Sequence, residues 1–191
     1  MKFGFMLFCL IVGGAALLPL ATLGQSRDFL TDDEIEMIRD AQQIDQRIDV
    51  LTHAIDRRFV VLKINAGEVS KKESEKWGAL PAGTRLQLLN DVKRILQKAI
   101  EDIDNLAERP TSMVADEPEK GKKPKSYAEL FPKAVRILAS ATERYKPALK
   151  AELDKTTDNL EKGVILASLD MCEEITAAAA KLPAEVKKSK N

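Results

Sequence analysis

The chain has 191 residues, of which 45% are hydrophobic, so it is long enough and apolar enough to form one domain with a real core. Its 30 basic and 30 acidic residues balance, so it has no overall electrostatic field to attract nucleic acid or an anionic membrane. Aromatic residues make up 5%, which disfavours a surface that stacks bases or sugars.

Residues 1–24 have the order of a secretory signal peptide, with one basic residue, an apolar run and small residues before a polar exit. Cleavage after Gly24 would leave Gln25 as the first residue. The alternative is a retained anchor, because residues 3–24 are nearly long enough to span a bilayer. The sequence therefore predicts a periplasmic or secreted protein, or a membrane-anchored one if the leader is retained.

The segment from Leu30 to Ile64 is predicted to be one long helix, because its apolar residues recur every three or four positions. Thr31 and Glu34 have the spacing of a capping box at its start. Gly67 is expected to provide the left-handed cap after a helix of roughly 50 Å. The predicted buried face consists of Ile35, Ile38, Ala41, Ile44, Ile48, Leu51, Ile55, Phe59 and Leu62.

A polar connector of residues 68–83 follows and contains Trp77, the only tryptophan. A capping-box spacing at residues 70 and 73 predicts a short helical turn that ends at Trp77 and Gly78. We expect Trp77 to pack as a lid over one end of the helices.

The second helix is predicted to begin with Thr84 and Gln87 as a capping box and to end at Arg109 and Pro110. Residues 110–125 contain three prolines and alternating charge without an apolar period, which predicts a mobile linker. The predicted buried face of this helix is Leu86, Leu89, Val92, Leu96, Ala99 or Ile100, Ile103 and Leu106.

The third helix is predicted from Phe131 to Lys155, after a start signal at residues 126 and 129, and is expected to bend at Pro132 and Pro147. The fourth is predicted to begin at Asp158 and to end at Pro183. The predicted buried residues are Val135, Leu138, Ala141, Tyr145, Leu149 and Leu153 in the third helix, and Leu160, Val164, Ile165, Leu169, Cys172, Ile175, Ala179 and Leu182 in the fourth.

Four amphipathic helices without a strand pattern predict an all-α protein, a four-helix bundle of long, coiled-coil-like helices with a kinked third helix. The predicted divisions are a signal peptide at 1–24, a helical hairpin at 25–109, the linker at 110–125 and a second hairpin at 126–191.

The sequence contains no phosphate-binding glycine loop, no GxSxG, no HExxH and no paired CxxC. We therefore predict a non-enzymatic protein without a cofactor. Nucleophilic chemistry by Cys172 with His53 as its base is disfavoured, because Cys172 lies on an apolar helix face. We expect this cysteine to pack as a small buried residue.

His53 is the only histidine and marks the one candidate metal site. Asp49 lies four residues before it and Asp56 three after it, so the three side chains can line one stripe of a helix and hold a divalent metal weakly. The alternative is a partly exposed histidine on a charged face. A haem between His53 and a methionine fits a bundle in geometry, although core packing of Met37 and Met171 is favoured.

Two clusters of acidic residues could be imagined as the acid and base of a glycosidase, but solvent-facing helices carry such acids routinely. The clusters are Glu101, Asp102 and Asp104, and Asp170, Glu173 and Glu174.

The run LTDDEIEMIRDAQ at 30–42 resembles secreted all-helical bacterial proteins of uncharacterised function, and this resemblance implies no activity. Its first five residues also resemble the LTxxQ signature of small periplasmic helical chaperone and stress-adaptor proteins. That second resemblance implies a cradle of long helices that binds unfolded envelope proteins. The sequence departs from the signature because Glu34 replaces the glutamine and residues 83–87 lack the leading leucine of a second copy.

The sequence therefore predicts an exported, non-enzymatic helical protein that binds another envelope or secreted protein through an exposed helix face or the linker. No nucleic-acid partner is expected, and no stable membrane span if the leader is cleaved. The alternatives are a metal- or haem-binding bundle centred on His53 and a membrane-anchored coiled scaffold.

Overall fold

The computed structural model describes residues 27–67, 75–108 and 126–183, and these contain five α-helices, one 3₁₀ turn and no strand. The predicted all-α class is confirmed. The predicted leader, the capping box at residues 70 and 73 and the predicted linker at 110–125 lie outside the described residues. The elements are α1 (Asp32–Asp40), α2 (Ile44–Leu62), the 3₁₀ turn (Glu75–Trp77), α3 (Arg85–Glu108), α4 (Tyr127–Lys155) and α5 (Asn159–Ala180).

The predicted single helix at 30–64 is wrong, because the chain turns at residues 41–43 between α1 and α2. Gln43 has an extended backbone, with φ −85° and ψ 140°, and its carbonyl accepts the first hydrogen bond of α2. The apolar period hides this turn, since Ala41 and Ile44 on its two sides are both buried.

The contacts between α1 and α2 require this turn. A continuous helix would hold residues 34 and 57 about 34 Å apart along its axis. In the structure Glu34 Oε1 accepts a hydrogen bond from Arg57 Nη1 at 2.8 Å. The chain must therefore fold back on itself between the two residues.

The predicted capping boxes at the starts of α1 and α3 are present. Thr31 Oγ1 accepts from the Glu34 N–H at 3.2 Å, and Glu34 Oε2 accepts from the Thr31 N–H at 3.0 Å. At the start of α3, Gln87 Oε1 accepts from the Thr84 N–H at 2.8 Å. The predicted cap at residue 67 is wrong, because Lys63 takes the left-handed conformation at φ 57° and ends α2 four residues earlier.

α4 begins at Tyr127, four residues before the predicted start, because the capping box at residues 126 and 129 is itself the helix start. The helix continues through Pro132 and Pro147, neither of which is buried. The bend that we expect at these prolines stays a prediction.

α2 and α5 each pack against both α3 and α4, while α1 lies against α2 and the 3₁₀ turn. The shared core contains nearly all of the predicted apolar positions, buried or partly buried. Leu160 is the clear error, because it lies in the first turn of α5 on the side away from the core and is 67% exposed. Within the described ranges, no helix is both long and apolar enough to cross a membrane.

Replacing Ile48 or Leu51 by Ala is expected to lower the free energy of unfolding by about 2–5 kcal/mol, because each side chain is fully buried and its loss leaves a cavity. Gln46→Ala, on the exposed side of α2, is expected to change it by less than about 0.5 kcal/mol. Urea titration followed by circular dichroism measures both changes. Equal losses at the two kinds of position would contradict the buried face of α2.

Candidate functional site

His53 lies inside the structure and not on a charged face. Its side chain is 5% exposed, and its ring centroid lies 4.2 Å from that of Trp77, which is also buried. The Arg57 guanidinium lies 5.5 Å from the centroid of the same Trp77 ring. The alternative of a partly exposed histidine is therefore wrong, and Trp77 covers this part of α2.

The predicted metal ligands are not brought together as a metal group. Arg144 Nη2 donates to Asp56 Oδ2 at 3.1 Å, so the carboxylate of Asp56 is held by a cation on α4. Asp49 is half-buried one turn before His53. Among all the described residues, no cluster of three or more His, Cys, Asp or Glu side chains is arranged to hold a metal ion.

Cys172 is fully buried with a free thiol, as the sequence predicts. Burial raises the pKa of this thiol to about 12, because the thiolate would lose its solvation inside the protein. Met171, beside it in α5, packs against the core. This environment favours a structural cysteine over a reactive one.

A buried charged cluster joins α1 to α2. The Glu34 carboxylate, which is fully buried, accepts from Arg57 at 2.8 Å and from Arg58 at 2.5 Å. Both arginines are buried as well. Other donors of the two arginines reach backbone carbonyls, that of Ala79 at 2.6 Å from Arg57 and that of Phe29 at 2.7 Å from Arg58. The buried Nε of Arg58 has no hydrogen-bond partner among the described residues. We call these three side chains the Glu34 cluster.

The Glu34 cluster extends to α3 through Asp91. Arg58 Nε lies 3.9 Å from Asp91 Oδ2, and Arg27 Nη2 donates to the same oxygen at 2.5 Å. Burial raises the pKa of Asp91, and the hydrogen bond from Arg27 offsets only part of that effect. The cluster thus connects α1, α2 and α3.

Gly78 lets the segment after the 3₁₀ turn approach this cluster. Its backbone has φ +57°, and its carbonyl accepts from Arg57 at 3.1 Å. A Cβ at this position would lie 1.8 Å from Asp33 Oδ2. Both the left-handed backbone angle and the close approach of Asp33 therefore favour glycine.

The sequence does contain a signal for this cluster, in the position of Arg58. Arg58 lies three residues after Ile55 and four before Leu62, so it falls on the apolar stripe of α2. A charged residue on a core stripe requires a buried partner. Glu34 was predicted only as part of the capping box, and its second role as the buried partner of Arg58 was not predicted.

A half-open apolar groove of about 70 Å³ lies where α3, α4 and α5 meet. Asp104 of α3 and Glu174 of α5 are exposed and contribute to its wall. One residue from each predicted acidic cluster thus reaches the same place. We call this site the acid-rimmed groove, and its other lining residues are Ile100, Ile103, Val135, Leu138, Ile175 and Ala178.

The acid-rimmed groove and the Glu34 cluster lie at different positions along the axis of α3. Arg85, at the start of α3, donates to Glu161, near the start of α5, at 3.1 Å, so α3 and α5 run in the same direction. Along α3, Asp91 precedes Asp104 by 13 residues, or about 20 Å.

No family model, no curated protein and no solved structure matches this chain.

Replacing Glu34 by Ala is expected to cost about 3–5 kcal/mol of unfolding free energy, because it leaves two buried arginines without their carboxylate. The matched control is Glu36→Ala, which removes an ion pair with Arg39 in which both side chains are more than 60% exposed. That control is expected to change stability by less than about 1 kcal/mol. Equal effects in urea titrations would contradict the role of the Glu34 cluster.

Proposed function

We propose that this chain is an exported, non-enzymatic helical protein that binds another envelope or secreted protein. The acid-rimmed groove is the binding site, and its ligand is an apolar side chain next to a lysine or arginine in the partner. The observation that carries this proposal is the pairing of an apolar floor with two exposed carboxylates at one place.

The apolar floor favours an aliphatic anchor. Ile103, Val135 and Ile175 are buried and form part of the wall, so an apolar group that enters the groove loses contact with water. The volume of about 70 Å³ suits a single side chain and is well below that of sites for small organic ligands.

The carboxylates favour a basic neighbour. Asp104 and Glu174 lie on separate helices, so a cation beside the anchor meets negative charge from two sides. Such rim charges add specificity and raise the association rate more than they add affinity. Their contribution falls as the salt concentration rises.

The fold proposed around this groove is a four-helix bundle of α2 to α5, with α4 bent at its two prolines. The short helix α1 packs against the outside of this bundle. The packing of both α2 and α5 against α3 and α4 supports the bundle. A groove between three packed helices is held on rigid elements and not on a loop, and this reduces the entropy lost on binding.

Two fluorescent peptides of equal length test the proposal, one with a leucine between two lysines and the other with the same leucine between two glutamates. The native chain is expected to bind the lysine peptide about tenfold more tightly at low salt, because only that peptide complements the rim. Fluorescence polarisation measures both affinities.

Reversal of the rim charges provides the sharper comparison. Asp104→Lys with Glu174→Lys is expected to exchange the peptide preference, since both side chains are exposed and both reverse their charge. Asp154→Lys, an exposed acid of α4 outside the groove, is the control for added positive charge and should leave the preference unchanged. Equal binding of both peptides to the native chain would refute the proposed ligand chemistry.

A further inference from the structure

We propose that two copies of this chain associate through the outer face of α5, in an antiparallel pair with Leu166 on the two-fold axis. This face is separate from the acid-rimmed groove, and the proposal does not depend on the proposed function.

α5 is the most apolar of the five helices, yet one side of it has no covering element among the described residues. Leu160 and Leu166 on that side are 67% and 47% exposed. Val60 and Leu80 are the other large exposed apolar side chains in the described ranges. Large apolar side chains that are exposed on a mostly apolar helix mark a surface that a partner can cover.

Gly163 lies between these leucines and opens the surface for close contact. A Cβ at this position would have no atom of another described element within 4 Å, so no described residue requires a glycine there. Glycine in a helix interior costs about 1 kcal/mol relative to alanine. A second backbone approaching at this point gives that glycine a packing role, because the missing side chain lets two helices come close.

The charges of this face indicate a second copy of the same chain as the partner. Lys162 and Asp170 lie four residues before and four residues after Leu166, about 6 Å away in each direction along the axis. An antiparallel pair with its two-fold axis at Leu166 places Lys162 of each copy opposite Asp170 of the other. At these two positions the face is complementary to itself, as a two-fold interface requires.

The same three residues form a single ridge of the helix surface, since they recur at every fourth position. Neither Lys162 nor Asp170 forms an ion pair with another described residue, so both side chains are available for the pair across the axis.

Sedimentation velocity of the purified chain over a range of concentrations tests this pairing. The native chain is expected to form dimers, and Leu166→Glu is expected to be monomeric because it buries two carboxylates on the axis. Leu80→Glu makes the same change at another exposed leucine and should leave the dimer intact. Circular dichroism confirms that each variant is folded.

A charge exchange identifies the geometry of the pair. Lys162→Glu alone and Asp170→Lys alone should each raise the dimer dissociation constant about tenfold, because like charges then face each other twice across the axis. The double variant should restore the native value. A native chain that stays monomeric at every concentration, or a double variant no tighter than the single ones, would overturn the proposal.

Discussion

The carboxylate of Glu34 is the constraint on which the rest of this structure depends. It carries a charge at a fully buried position, and such a charge is stable only when it is paired and hydrogen-bonded. Arg57 and Arg58 provide that pairing from the next helix. The chain must turn at residues 41–43 to bring these groups together, so the pairing determines the path of α1 across α2.

The buried, polar Glu34 cluster is separate from the apolar surfaces that are exposed to solvent. Around the Glu34 cluster, donors of Arg57 and Arg58 reach carbonyl oxygens of the chain itself, and both side chains are buried away from solvent. The acid-rimmed groove and the outer face of α5 lie elsewhere and carry apolar surface exposed to solvent. The proposed partner and the proposed second copy therefore use surfaces that the cluster does not occupy, and a dimer would present two grooves.

Much of the fold could be predicted because its signals are local. Capping boxes at Thr31 and Thr84 are spacings of three residues, and the buried faces of α3 and α4 follow a helical period. The turn at 41–43 could not be predicted, because the apolar period continues across it. The groove could not be predicted either, since Asp104 and Glu174 are 70 positions apart and only the packing of three helices unites them.

Hydrogen exchange of the native chain and of Glu34→Gln tests this account most directly. Glutamine keeps one oxygen that can cap α1, while its NH₂ group takes the place of the charged oxygen that faces Arg57 and Arg58. We predict faster exchange in α1 and at residues 75–84 while α5 keeps its native protection, because local opening follows the contacts that are lost. Unchanged protection in α1, or an equal loss in α1 and α5, would contradict the central role of the Glu34 cluster.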